Sequence, residues 1–85
     1  MSNLLVVVGS ITSATRLVKR LTKAGDRKAH LINTPAILGG GGCSYSVRAS
    51  MSSEQFIRNN IQGITIKKIY IENSDGIERD YHDLS

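Results

Sequence analysis

Hydrophobic and polar positions change period several times along the chain, and each change predicts an element. Leu4 to Val8 is an unbroken apolar, β-branched run closed by Gly9, too short for a helix and suited to a strand buried on both faces. From Ser10 the period becomes helical: Ala14, Leu17, Val18 and Leu21 fall on one side, with Arg16, Lys19, Arg20 and Lys23 on the other. Ser10, Thr12 and Ser13 are candidate caps for this helix, and Gly25 supplies a residue suited to ending it. Ala29 to Asn33 reads as a second strand halted by Thr34-Pro35, because proline has no N–H for a ladder. After Gly39-Gly40-Gly41-Gly42 and Cys43, the residues Tyr45, Val47 and Ala49 alternate with Ser44, Ser46 and Arg48, the period of a third strand with two unlike faces. Ser52 with Gln55 forms a capping box for a second helix through Phe56, Ile57 and Ile61 that stops at Gly63. A fourth strand follows from Thr65 to Ile71, and Lys67 and Lys68 within it suggest a sheet edge. Asp75-Gly76 then offers a hairpin turn into a short fifth strand over Ile77 to Tyr81.

The order β-α-β-β-α-β predicts an α+β chain, specifically a ferredoxin-like sandwich: an antiparallel sheet with the first and third strands central and both helices on one face. At 85 residues with 40% hydrophobic content this is one small domain that must fold by packing, since a single cysteine forms no internal disulfide. The expected organisation is a domain over residues 1–71 and an acidic tail over 72–85. No run is long enough to span a bilayer, so a cytoplasmic protein without membrane contact is expected. Charge sharpens the division at residue 71. Residues 1–71 hold ten Lys or Arg against Asp26 and Glu54, whereas residues 72–85 hold Arg79 against five carboxylates. The asymmetry fits an anionic partner, and it equally fits a tail that folds back and screens the body.

Antiparallel neighbours place the end of the first strand beside the start of the third, so Cys43 is expected near Gly9-Ser10, where the helix dipole favours a thiolate. Glycines before the cysteine allow backbone N–H groups to turn toward an anion. The alternative is a small buried cysteine opening a strand, against which the following Ser44-Tyr45-Ser46 argues. The glycine run lacks the Lys-Ser/Thr of a phosphate-binding loop, His30 and His82 have no metal-ligand spacing with Cys43, and no Ser-His-Asp set accompanies Ser10 or Ser44. Neither a metal nor a cofactor is therefore expected. RNA binding has the basic helix in its favour, but Tyr45 alone offers an aromatic ring on the central strands, so no specific nucleic acid is expected.

Ser10-Ile11-Thr12-Ser13-Ala14 at the first helix, Thr34-Pro35, Leu38, and Cys43 leading into a strand that reaches Arg48 together resemble the selenium/sulfur carrier-like family of small bacterial domains, over residues 4–71. The resemblance implies that Cys43 holds a persulfide or selenopersulfide, as a shuttle between donor and acceptor proteins without turnover of its own. Gly9, Ser10, Thr12, Thr34, Gly40, Gly41, Gly42 and Arg48 are the accompanying ligand-site candidates. Four consecutive glycines, Ala36 after the proline and the acidic tail depart from the family pattern and bear on ligand and partner specificity. A noncatalytic interaction or small-ligand module is the second reading, and RNA binding the third. A homodimer is also expected, because Leu5 and Val7 point to one side of the first strand and Leu4, Val6 and Val8 to the other, both sides are apolar and the helices cover only one, unless Ile77, Tyr81 and Leu84 of the tail cover the open face.

Overall fold

A computed structural model describes residues 2–39, 44–59, 62–74 and 79–84. Its strands are β1 (Ser2–Val8), β2 (His30–Asn33), β3 (Tyr45–Ser50), β4 (Ile66–Ser74) and β5 (Arg79–Asp83), with helices α1 (Ile11–Lys23) and α2 (Glu54–Asn59). They form an α+β structure with one antiparallel sheet in the order β2-β3-β1-β4-β5. The apolar run of β1 occupies the middle, where both faces of a strand are enclosed.

The period of β1 divides the interior. Leu4, Val6 and Val8 meet Ala14, Leu17 and Leu21 of α1 and Ile57 of α2, so both helices cover the same face. Val47 and Ala49 of β3 and Ile69 of β4 join this core, and Tyr45 packs against it. The lone aromatic expected to be available on the sheet is therefore spent on core packing. Tyr70 and Tyr81 instead make an edge-to-face pair, with ring centroids 6.4 Å apart; Tyr81 was named as a candidate cover of the sheet, whereas Tyr70 was not singled out.

Several expectations need correction. β4 is an inner strand, because the tail pairs with it from Tyr70 opposite Asp83 to Ser74 opposite Arg79. The lysines that suggested an edge are accommodated by two devices. Lys68 bonds Asp83 of β5 at 2.7 Å, and the register slips between Val7 and Val8 so that Lys67 has no partner on β1. The fifth strand exists, but at Arg79–Asp83, and the hairpin residues Asp75-Gly76 and Ile77 lie outside the described residues. The second helix opens through a 3-10 turn, Met51–Ser53, with no side-chain cap, in place of the Ser52 capping box. Its continuation through Ile61 also lies outside the described residues.

The face opposite the helices is closed from within the chain, which removes the premise of the homodimer expectation. Leu5 is fully buried although no helix reaches it. Arg48 and Tyr70 flank it on the neighbouring strands, and the Arg48 guanidinium reaches across β1 to Glu72 of β4. The ion pair is bidentate, at 2.8 and 2.9 Å, and Tyr81 of β5 donates to the same carboxylate at 2.8 Å. Leu84 goes to the other side: it packs against the helix-side core, and its N–H donates to the Ile69 carbonyl at 2.8 Å. The tail thus closes one edge and contributes to both layers.

A second buried carboxylate ties the loops at the opposite end from the first helix's start. Asp26, just past α1, accepts from the N–H and hydroxyl of Ser50, the hydroxyl of Ser53 and the N–H of Lys28. Burial alone would raise its pKa; these donors outweigh burial and hold it below its ordinary value of 3.8. Glu72 behaves alike. Burial raises it, and the bonds from Arg48 and Tyr81 with the charges of Arg48 and Arg79 bring it below 4.5. The Tyr81 hydroxyl is pushed up, first by burial and then by its bond to Glu72.

Two outcomes are expected. Arg48→Met leaves the Glu72 carboxylate, only 3% exposed, without its main partner and should cost about 3 kcal/mol in urea unfolding, whereas Arg48→Met with Glu72→Met should recover most of that loss. As pH falls through the ordinary carboxylate range, the unfolded chain takes up protons that folded Asp26 and Glu72 refuse. Stability should therefore be full above about pH 5 and decline below about pH 4, with Asp26→Asn less stable at pH 7 and showing a shallower acid decline in thermal melts.

Candidate functional site at the start of the first helix

The turn from β1 into α1 is held by short-range chemistry. Ser10 caps the helix in an extended conformation, and its hydroxyl accepts from the N–H of Ser13 at 3.1 Å. The hydroxyl of Ser13 accepts from Thr65 N–H at 3.0 Å, and Gly9 N–H donates to the Thr65 carbonyl at 2.8 Å. A Cβ on Gly9 would lie 2.8 Å from Thr65 Cγ2, so any side chain there would displace Thr65. Ile11 and Thr12 in the first turn are exposed, and that turn contains no acidic residue to oppose the positive end of the helix dipole.

The start of β3 comes to the same end of the sheet. Val8 faces Tyr45 in the β1–β3 register, and Asn33 faces Tyr45 from the other side. Just beyond β2, Thr34 is buried; its N–H donates to the Ser44 carbonyl at 3.0 Å, and its hydroxyl accepts from Ser44 Oγ at 2.9 Å. Thr34 Oγ1 also bonds Ser46 Oγ at 2.6 Å. This hydroxyl cluster ties the first described residue after Cys43 to the end of β2. Proline at position 35 and the 3-10 turn Ala36–Leu38 then lead to Gly39, whose φ of 80° is the left-handed conformation that favours glycine.

Of the candidate site residues, Gly9, Ser10, Thr12 and Thr34 share this end of the sheet. Gly40, Gly41, Gly42 and Cys43 lie outside the described residues. Arg48 is three residues further along β3 than Tyr45, a displacement of about 10 Å, and its guanidinium is engaged with Glu72. His30 is exposed with Nδ1 at 2.8 Å from the Lys28 carbonyl, and His82 is exposed on β5. Among the described residues no group of three His, Cys, Asp or Glu side chains could hold a metal ion, and no helix is long and apolar enough to cross a membrane.

Sequence patterns did not single out the Thr34–Ser44–Ser46 cluster or the buried carboxylate sites. Serine and threonine next to a predicted strand end was the available local signal for the first. For Asp26 and Glu72 the principal partners lie 24 positions away, and no local spacing announces them.

Residues 3–71 match the family model described as "Putative Se/S carrier protein-like". No curated protein and no solved structure matches the chain. The matched span takes in the capped first helix, Thr34, Cys43 and the central strands, and by that match the chain belongs to the Se/S carrier-like family.

Proposed function

We propose that the protein is a carrier of sulfane sulfur or selenium, with Cys43 as the residue that accepts the group from a donor protein and yields it to an acceptor. The observation that carries this reading is the family match across Cys43. Geometry supports it: Ser44-Tyr45, the chain leaving Cys43, runs beside Val8-Gly9 at the positive end of α1. A dipole of that sign favours a thiolate over a thiol. The Cys43 thiolate attacks the outer sulfur of a donor persulfide, forming a new S–S bond as the donor's own S–S bond breaks and the donor departs as a thiolate. The sulfane atom keeps its oxidation state, and reversal of the step onto an acceptor thiolate delivers it.

In this reading Gly9, Ser10, Thr12 and the glycines at 40–42 are the candidate contacts of the carried group, while Thr34 holds the start of the strand that follows Cys43. Arg48 serves the sheet through Glu72. The first four strands and the two helices are read as ferredoxin-like, with β5 appended to β4; the antiparallel pairings of β1 with β3 and β4, and of β2 with β3, support this. The solitary thiol suits a reducing, cytoplasmic setting.

Intact-mass measurement of the full chain exposed to glutathione persulfide should show the gain of one sulfur atom, removed by dithiothreitol and absent in Cys43→Ser. No gain, or a gain retained in Cys43→Ser, overturns the assignment. The rate of Cys43 alkylation against pH should have its midpoint below the free-thiol value of about 8.5.

A further inference from the structure

The exposed side of α1 is charged in an unusual way for a solvated helix. Its thirteen residues include Arg16, Lys19, Arg20 and Lys23 and no Asp or Glu. Arg16 with Arg20 and Lys19 with Lys23 stand one helical turn apart, and like charges at that spacing destabilise a helix. α2 has the usual arrangement, an Arg58–Glu54 ion pair at 3.1 Å. Nor do the described carboxylates of the tail relieve the repulsion at Lys19 or Lys23. Glu72 pairs with Arg48 and Arg79 and Asp83 with Lys68 on the sheet, Asp80 is exposed on β5, and among the described residues no carboxylate lies within ion-pair distance of Lys19 or Lys23.

The same side carries apolar surface at its start. Ile11, 49% exposed, borders a shallow groove with Thr12, Thr15, Arg16 and Lys19 that continues directly from the Gly9-Ser10 turn. A half-exposed isoleucine rimmed by cations suits a brief protein contact: the apolar centre gives contact area, and the charge steers the encounter. We propose that this side of α1 is the docking surface for an acidic protein that delivers or receives the sulfane group, an inference that rests on Cys43 being the carrier thiol. The complementary charge is anionic because Lys19 and Lys23 have no carboxylate within ion-pair distance among the described residues, and the helix itself contains none. An exchange partner must also leave after transfer, which favours a small, charge-steered contact over a large apolar one.

The test compares two short peptides of equal length, each with one cysteine persulfide, one rich in Glu and Asp and one uncharged. Loading of Cys43 in the full chain is followed by mass over a salt series. The acidic donor should load wild type about tenfold faster than the uncharged donor at low salt, and the difference should vanish at high salt. Lys19→Glu with Lys23→Glu should abolish the preference while the uncharged donor loads at an unchanged rate, and Lys19→Gln with Lys23→Gln should reduce it. Arg27→Glu with Lys28→Glu, the same charge change on the exposed loop after α1, should retain it.

Equal rates from both donors in wild type, or loss of the preference in both charge-reversed variants alike, overturn the docking surface. So does an oligouridylate that binds wild type, fails to bind Lys19→Glu with Lys23→Glu, and leaves the peptide preference intact, because the surface would then belong to RNA. Loading from neither peptide overturns the carrier reading itself, an outcome distinct from loading without preference.

Discussion

The bridge from Arg48 to Glu72 across β1 is the contact on which the layering depends. A single-sided sheet leaves every second residue of its middle strand open to water, and here those residues include Leu5 and Val7. Other chains cover such a face with a second layer of helices or a second molecule. This one covers it with a bidentate guanidinium–carboxylate pair and with Tyr81. Removing one charged partner would leave the other buried and unpaired, so the pair joins β3, β4 and β5 into one cooperative unit.

This bridge also explains what the acidic C-terminal residues do. β4 runs without interruption to Ser74, and Arg79–Asp83 adds a strand beyond it. Glu72 supplies the carboxylate of the bridge, Asp83 neutralises Lys68, and Leu84 extends the helix-side core. Two of the tail's five carboxylates are thereby engaged by the sheet. The basic helix packs over β3, β2 and β1, while the acidic strand β5 is the edge beyond β4. Charge that looked like one asymmetry along the chain is two local arrangements in space.

The two ends of the sheet are built for different work. At one end the Asp26 carboxylate gathers backbone and hydroxyl donors from two loops, a closed set with no valence left for a ligand. At the other there are two separate sets of neutral hydrogen bonds, Ser10 with Ser13 at the helix's positive end and Thr34 with Ser44 and Ser46 at the ends of β2 and β3. The first turn of the helix holds no acidic residue, and on the proposed carrier reading its dipole is what favours the thiolate.

Local periodicity sufficed for the elements. The apolar run of β1, the amphipathic α1 with Ser10 among its three candidate caps, and the alternation of β3 were all legible, because each depends on side chains a few positions apart meeting the same surface. The meeting of Val8 with Tyr45 was legible as well, since an antiparallel pairing of those strands requires it. Lys67 and Lys68 misled about the edge for the complementary reason: a lysine in a strand has no local mark telling whether water or Asp83 will face it. The partners of Asp26 and Glu72, the closing of the Leu5 face and the position of β5 were decided only by the tertiary structure. Each rests on side chains 24 or more positions apart or on strand register, and long-range pairing of that kind is selected by the free energy of the whole packed sheet rather than by any segment of it.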